Sequence, residues 1–125
     1  MKKNKLGTSH LEVSKICLGT MTFGEQNSPD ESFDQMTYAF DNGVNFFDTA
    51  EMYPIPGRKH TQGNTERIIG NWLEESGNRE EIYLATKVSG PGVNWIRKGT
   101  MFSKDQIYKA VDNSLKRLKV DSIDL

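Results

Sequence analysis

The feature of this sequence that most constrains its fold is the alternation of amphipathic helical segments with short apolar runs. Three segments carry apolar side chains at helical spacing, each between residues that begin and end helices. Ser28 and Glu31 predict a capping box at the start of the first helix, and Asn42-Gly43 predicts its end. The second segment covers about residues 64–76 and is closed by Gly77. The third begins with another predicted capping box at residues 103–106 and continues to Leu118.

Short β-like runs separate these helices, at residues 16–18, 44–47, 82–88 and 123–125. The order β-α-β-α-β-α-β predicts parallel strands joined by right-handed crossovers. Residues 6–11 predict a small hairpin ahead of the first strand. Two long loops, residues 49–63 and 89–102, follow the carboxyl ends of strands. Because α/β proteins place their sites at these strand ends, we expect a functional site there.

Composition excludes several classes of protein. The 16 basic and 17 acidic side chains give a net charge of −1, and without a basic stripe we expect no nucleic-acid partner. No apolar run has the roughly 20 residues of a spanning helix, and no signal peptide precedes the domain, so we expect no membrane association. The single cysteine, Cys17, is interpreted as a buried structural thiol in a reduced, cytoplasmic protein.

Known ligand motifs are also missing from the sequence. Residues 19–24 and 90–92 are glycine-containing turns after strands, but neither has the spacing of a phosphate-binding loop. His10 and His60 each stand alone, so the sequence predicts no zinc or other metal site.

Three polar residues near strand ends are better placed for chemistry: Asp48, Tyr53 and Lys87. Strand alternation predicts that Asp48 shares the inner face with Phe46 and Val44, and that Lys87 shares it with Ala85 and Tyr83. It leaves the helix side for Ile82, Leu84 and Thr86. Each candidate alone has an ordinary reading, as a loop cap, as loop packing or as an outward-pointing lysine. Together they predict a proton relay, because an ammonium group stabilises the phenolate that a proton-donating tyrosine leaves behind.

The motifs around these residues resemble the aldo-keto reductase family. Residues 46–53 (FFDTAEMY) are similar to the family signature, in which Asp and Tyr stand five residues apart. Four further segments match in order and extend the resemblance over essentially the whole chain: 18–20 (LGT), 66–70 (ERIIG), 84–87 (LATK) and 114–118 (SLKRL) followed by 121–125 (DSIDL). The long stretch after Tyr53 resembles the bacterial Tas-like branch of the family.

This resemblance implies a (β/α)8 TIM barrel, of which residues 1–125 would form the N-terminal half, with about four βα units behind a β-hairpin. It implies reduction of small aldehydes and ketones with NAD(P)H, usually NADPH. Tyr53 would be the general acid, Lys87 would tune its acidity, and Asp48 would hold Lys87. Residues near the cofactor would be Gly19, Thr20, Met21 and Asp48. The glycine of the ERIIG segment, Gly70, would let its helix pack closely.

Where the family continues, this chain stops, and we expect residues 1–125 to be an incomplete barrel domain truncated in the fourth strand. The family's catalytic histidine and most of its cofactor contacts would lie beyond Leu125, so we expect residues 1–125 alone to be inactive. Two alternatives remain open at this point. The chain could be a non-catalytic binding or regulatory relative, since fold alone does not imply activity. Two copies could also pair as half-barrels.

Overall fold

The chain folds as a short parallel sheet covered on one face by helices, with a hairpin at one end. A computed structural model describes residues 1–99 and 101–125. The element order is β1 (Lys3–Lys5), β2 (Glu12–Ser14), β3 (Leu18–Gly19), α1 (Pro29–Asp41), β4 (Phe46–Asp48), α2 (Asn64–Ser76), β5 (Tyr83–Ala85) and α3 (Lys104–Leu118). A short 3-10 helix, Arg79–Glu81, precedes β5.

The helix ends follow local sequence chemistry. The capping box of α1 is confirmed, with Ser28 and Glu31 bonding to each other's backbone N–H groups. Gly43 (φ 83°) and Gly77 (φ 71°) take the left-handed backbone conformation after α1 and α2, as predicted. The second capping box is wrong in its bonding: Ser103 precedes α3, but among the described residues its side chain makes no capping hydrogen bond. The start of α3 is marked by the extended backbone conformation of Ser103.

The predicted parallel sheet is confirmed, although its strands are shorter than predicted. Strand β4 lies between β3 and β5, and Asp48 is opposite both Gly19 and Ala85. Residues 123–125 form no regular strand, yet they run beside β5. Asp124 N–H donates to Leu84 O at 3.0 Å, and Thr86 N–H donates to Leu125 O at 3.0 Å.

The two faces of the sheet differ in character. Phe47 and Leu84 are fully buried on the helix side, where they join a core cluster with residues of α1, α2 and α3. Thr86 also faces the helices, since its hydroxyl donates to the Glu66 carboxylate at 2.7 Å. The predicted inward placement of Val44 is wrong, because β4 begins only at Phe46 and Val44 packs into the helix-side core. Alternation therefore does not extend back through the turn that follows α1.

The structure contains a hairpin whose connection is the segment predicted as a hairpin. Strands β1 and β2 pair antiparallel on either side of residues 6–11, which form the connection. Asn45, directly before β4, holds this hairpin. Its Oδ1 accepts from Ser14 N–H at 2.7 Å, and its Nδ2 donates to Glu12 O at 3.1 Å. The hairpin thus lies at the amino end of β4, opposite the end where Asp48 stands.

Cys17 differs from its prediction. The thiol residue is exposed, because Leu18 takes the position that packs toward the helices and Cys17 falls on the alternate, uncovered face of the sheet. Although the residue as a whole is exposed, neighbouring atoms partly cover the thiol, and this partial burial raises the pKa of the Cys17 thiol. The Asp48 carboxylate raises that pKa further, while the Lys87 ammonium lowers it. Cys17 therefore shares the electrostatic surroundings of the Asp48–Lys87 pair.

Candidate active site

The structure brings Asp48, Lys87 and Tyr53 together at the carboxyl ends of β4 and β5. Because Asp48 is opposite Ala85, Lys87 stands two residues further along on the same face. Its Nζ donates to Asp48 Oδ1 at 2.8 Å and to Oδ2 at 2.6 Å. A third bond, to the carbonyl oxygen of Thr49, measures 2.8 Å. The ammonium group is thus held by three oxygen atoms from the end of β4.

Tyr53 also lies close to this ammonium group. The Nζ of Lys87 is 4.9 Å from the centroid of the Tyr53 ring, a cation–π distance. Two hydrogen bonds hold the backbone of Tyr53 in place. Its N–H donates to Ala50 O at 3.1 Å, and Gly63 N–H donates to its carbonyl oxygen at 2.8 Å. The long loop 49–63 thus folds back onto Tyr53.

The Asp48–Lys87 ion pair is partly open to solvent. The side chain of Lys87 is 48% exposed and that of Asp48 is 36% exposed. Ion pairs of this exposure contribute little to the free energy of unfolding, with measured values of about 0–1 kcal/mol. Since the carboxylate also engages the ammonium with both oxygen atoms, the pair fixes the direction of Lys87 more than it stabilises the fold.

The loop after β3 borders this group. Gly19 is exposed and opposite Asp48, and a side chain built on it would meet no atom within 4 Å. Met21 is exposed as well. Thr20 is fully buried, and its hydroxyl donates to the carbonyl oxygen of Asp48 at 2.8 Å. Thr20 therefore fixes β3 against β4, while Gly19 and Met21 leave open surface beside Asp48.

The sequence reasoning missed two charged residues close to this group, Glu51 and Arg97. Both side chains are buried, and Arg97 Nε is 3.2 Å from Glu51 Oε1. Glu51 lies within the FFDTAEMY segment, between Asp48 and Tyr53. Its position between two candidate site residues was the sequence signal that could have indicated it. Arg97 belongs to the predicted loop 89–102, which includes Thr100, a residue outside the described ones.

A separate cavity lies away from Lys87. A cavity of about 720 Å³ opens between the start of α1 and α2, and its lining includes none of Asp48, Tyr53 and Lys87. Within residues 1–99 and 101–125, no group of three His, Cys, Asp or Glu side chains could hold a metal ion. Over the same residues, no helix has the length and apolar character needed to cross a membrane.

Comparison with known proteins decides the family. The sequence model described as the Aldo/keto reductase family matches residues 15–125. The chain belongs to the aldo/keto reductase family. Over its full length the chain is 48% identical to Protein tas of Escherichia coli strain K12 and 41% identical to the oxidoreductase YrpG of Bacillus subtilis. It spans only 37% and 39% of the length of those two relatives.

A solved aldo/keto reductase gives the same result in three dimensions. The holo form of AKR11C1 from Bacillus halodurans superposes with a TM-score of 0.80 at 35% identity. The match covers 98% of this chain and 38% of that chain. This confirms the fold predicted from the sequence, an N-terminal portion of an aldo/keto reductase (β/α)8 barrel.

Proposed function

We propose that these residues form part of the active site of an NAD(P)H-dependent reductase of small aldehydes and ketones. The observation that carries the proposal is the position of the Lys87 ammonium, held by Asp48 and Thr49 and facing the Tyr53 ring at 4.9 Å. A fixed positive charge beside a phenol favours the ionised form, which is what a tyrosine acting as general acid requires.

In this reaction Tyr53 gives its phenolic proton to the carbonyl oxygen of the substrate. The phenolate that remains is stabilised by Lys87, whose charge and direction are maintained by Asp48. Reduced nicotinamide cofactor, when bound, supplies the hydride that the carbonyl carbon accepts, so that the product is an alcohol. Charge that develops on the oxygen and on the tyrosine thus meets an ammonium group oriented in advance.

We propose that the nicotinamide ring of the cofactor binds at the open surface beside Asp48. Open space at Gly19 and the exposed Met21 leave a surface next to the Asp48 carboxylate. Gly19, Thr20, Met21 and Asp48 are therefore the proposed cofactor segment, in which Gly19, Met21 and Asp48 would face the cofactor and the buried Thr20 would hold β3 against Asp48 through its hydroxyl and N–H. NADPH is the proposed cofactor by family membership, and the holo form of AKR11C1 agrees with cofactor binding in a similar fold.

The test is reduction of a panel of small aldehydes and ketones by the protein expressed from its complete reading frame, followed as consumption of NADPH. We expect turnover, and we expect Tyr53→Phe to lower kcat by about 10²- to 10⁴-fold, the usual contribution of a general acid. The variant keeps the ring and its contact with Lys87, so NADPH affinity and unfolding temperature should not change. NADPH binding without turnover would instead support a non-catalytic binding module.

A further inference from the structure

We propose that Glu51 and Arg97 form a buried clamp that positions Tyr53 against Lys87 during catalysis. The proposal rests on the proposed reductase function, to which it adds two positioning residues. The clamp joins loop 49–63, which carries Tyr53, to the segment that follows Lys87. Neither residue touches the reacting atoms; each acts through the backbone that it holds.

Glu51 contacts that following segment with both its side chain and its backbone. Its Oε2 accepts from Ser89 N–H at 2.9 Å, and its own N–H donates to Lys87 O at 3.0 Å. From within the loop, Gln62 Nε2 donates to Glu51 O at 2.5 Å. A residue two positions before Tyr53 is thus bonded to the backbone of the lysine that Tyr53 must face.

Arg97 is the second residue of the clamp and contacts both Glu51 and Ser89. Its Nε is 3.2 Å from Glu51 Oε1, and its Nη2 donates to Ser89 O at 3.0 Å. The carboxylate and the guanidinium therefore grip the same backbone residue, Ser89, at its N–H and at its carbonyl. Lys87 lies two residues before Ser89. The backbone after Lys87 is therefore held on one side by Glu51 and on the other by Arg97.

Burial distinguishes this pair from an ordinary surface ion pair. The exposed fraction is 4% for the Arg97 side chain and 1% for that of Glu51. Burying charge is unfavourable, and Arg97 Nε and Nη1 are both buried without a hydrogen-bond partner among the described residues, so Nε contacts the Glu51 carboxylate as an ion pair and not as a hydrogen bond. Arg97 also has a positive φ of 48°, which is unusual for a residue with a side chain. Such a costly arrangement beside Lys87, outside the helix–sheet core, fits a role in site geometry.

The test compares Glu51→Gln with a matched variant of a second ion pair, Arg79→Gln. Arg79 pairs with Asp124 at 2.9 Å near the amino end of β5, away from Tyr53. We expect Glu51→Gln to lower kcat at least about tenfold with KM for carbonyl and NADPH within twofold, because small misplacements of reacting groups are costly. Arg79→Gln should lower the unfolding temperature and leave kcat unchanged.

A conservative substitution separates positioning from stability. Arg97→Lys keeps a positive charge within the clamp, whereas Arg97→Met removes it and leaves Glu51 unpaired. We expect Arg97→Lys to retain more of the wild-type kcat than Arg97→Met, with both measured below their unfolding temperatures. A Glu51→Gln protein that is folded and turns over at the wild-type rate would overturn the proposal.

Amide hydrogen exchange tests the clamp without a measurement of turnover. Glu51→Gln should accelerate exchange of the Tyr53 and Ser89 amides, and Arg79→Gln should not. If the wild type shows no Tyr53-dependent turnover, the proposed function fails, whatever the clamp does. Unchanged exchange at Tyr53 and Ser89 in Glu51→Gln would overturn the clamp itself.

Discussion

At the scale of single residues, the oxygen atoms around the Lys87 ammonium determine what it can do. Two carboxylate bonds and one carbonyl bond satisfy its three N–H donors. The ammonium nitrogen lies 4.9 Å from the centroid of the Tyr53 ring, so it acts on the tyrosine through its charge. Its effect on the tyrosine then depends on the ammonium staying where Asp48 places it.

Asp48→Asn tests that dependence. The amide keeps the shape of the side chain but removes its negative charge, so one strong acceptor is lost and Lys87 is free to turn toward solvent. We expect kcat to fall at least about tenfold, since orientation of a catalytic group is lost. Because the pair is partly exposed, the free energy of unfolding should change by less than about 1 kcal/mol.

Steady-state kinetics and chemical denaturation on the same preparation measure both quantities. A variant with wild-type kcat would contradict the assigned role of Asp48. A large loss of stability would instead mean that the pair holds the fold together.

The sequence predicted some of these residues and missed others for a physical reason. Asp48 and Lys87 could be predicted because strand alternation and parallel order place both at one edge of the sheet. The pairing of Glu51 with Arg97 depends on the paths of two loops, which no periodicity describes. Cys17 was misplaced because it lies on the uncovered face of the sheet, and Val44 because β4 is shorter than its apolar run.

At the scale of elements, the close approach of α2 and α3 depends on one glycine. A Cβ on Gly70 would lie 2.5 Å from the carbonyl oxygen of Arg117 and 2.7 Å from the carbonyl carbon of Leu118. Both are backbone atoms and cannot rotate away. Beside this contact, Arg117 Nε donates to Glu66 Oε2 at 2.6 Å, and Glu66 also holds Thr86. The resemblance-based expectation of close packing at Gly70 is confirmed.

Gly70→Ala should therefore force α2 and α3 apart. We expect a loss of about 1–3 kcal/mol in the free energy of unfolding, the usual cost of overpacking. Asn71→Ala on the exposed side of the same helix is the matched control, and its effect should stay within about 0.5 kcal/mol. Urea denaturation of the two variants and the wild type measures the difference. Equal stabilities for Gly70→Ala and Asn71→Ala would contradict the close packing seen here.

The start of α1 depends on a charged cap. Hydrogen bonds from Ser28 lower the pKa of the Glu31 carboxyl below its ordinary value. A lowered folded-state pKa means that the carboxylate contributes stability above the unfolded-state value and loses that contribution as the pH falls through the folded-state value. The cap should therefore weaken in acid.

Glu31→Gln should lower the unfolding temperature at pH 7, because the uncharged amide is a weaker acceptor for Ser28 N–H. The difference from the wild type should begin to shrink as the pH falls through the ordinary glutamate range, about 4, and should continue to shrink through the lower folded-state pKa, where the wild-type side chain becomes neutral. Thermal unfolding of both proteins between pH 3 and pH 7 tests this. A difference that stays constant over that range would show that the charge of Glu31 does not contribute to the cap.

At the scale of the whole molecule, the sheet has one covered and one open face. Phe47 and Leu84 are fully buried beneath the helices, whereas Cys17 and Lys87 are exposed on the other side. Asp48 and Lys87 therefore stand in contact with solvent, where water screens their charges and competes for their hydrogen bonds. A carbonyl reductase needs the opposite, a site that excludes water around the developing charge.

From that exposure we propose that residues 1–125 by themselves do not reduce carbonyl compounds. The Asp48–Lys87–Tyr53 contacts form within the described residues, but the side chains of Lys87 and Asp48 stay 48% and 36% exposed on this open sheet face. We expect no Tyr53-dependent consumption of NADPH by purified residues 1–125. The protein expressed from its complete reading frame is the positive control, assayed at equal molar concentration with the same aldehydes. Turnover by residues 1–125 that disappears in Tyr53→Phe would contradict the proposal, and would mean that the open face suffices for the reaction.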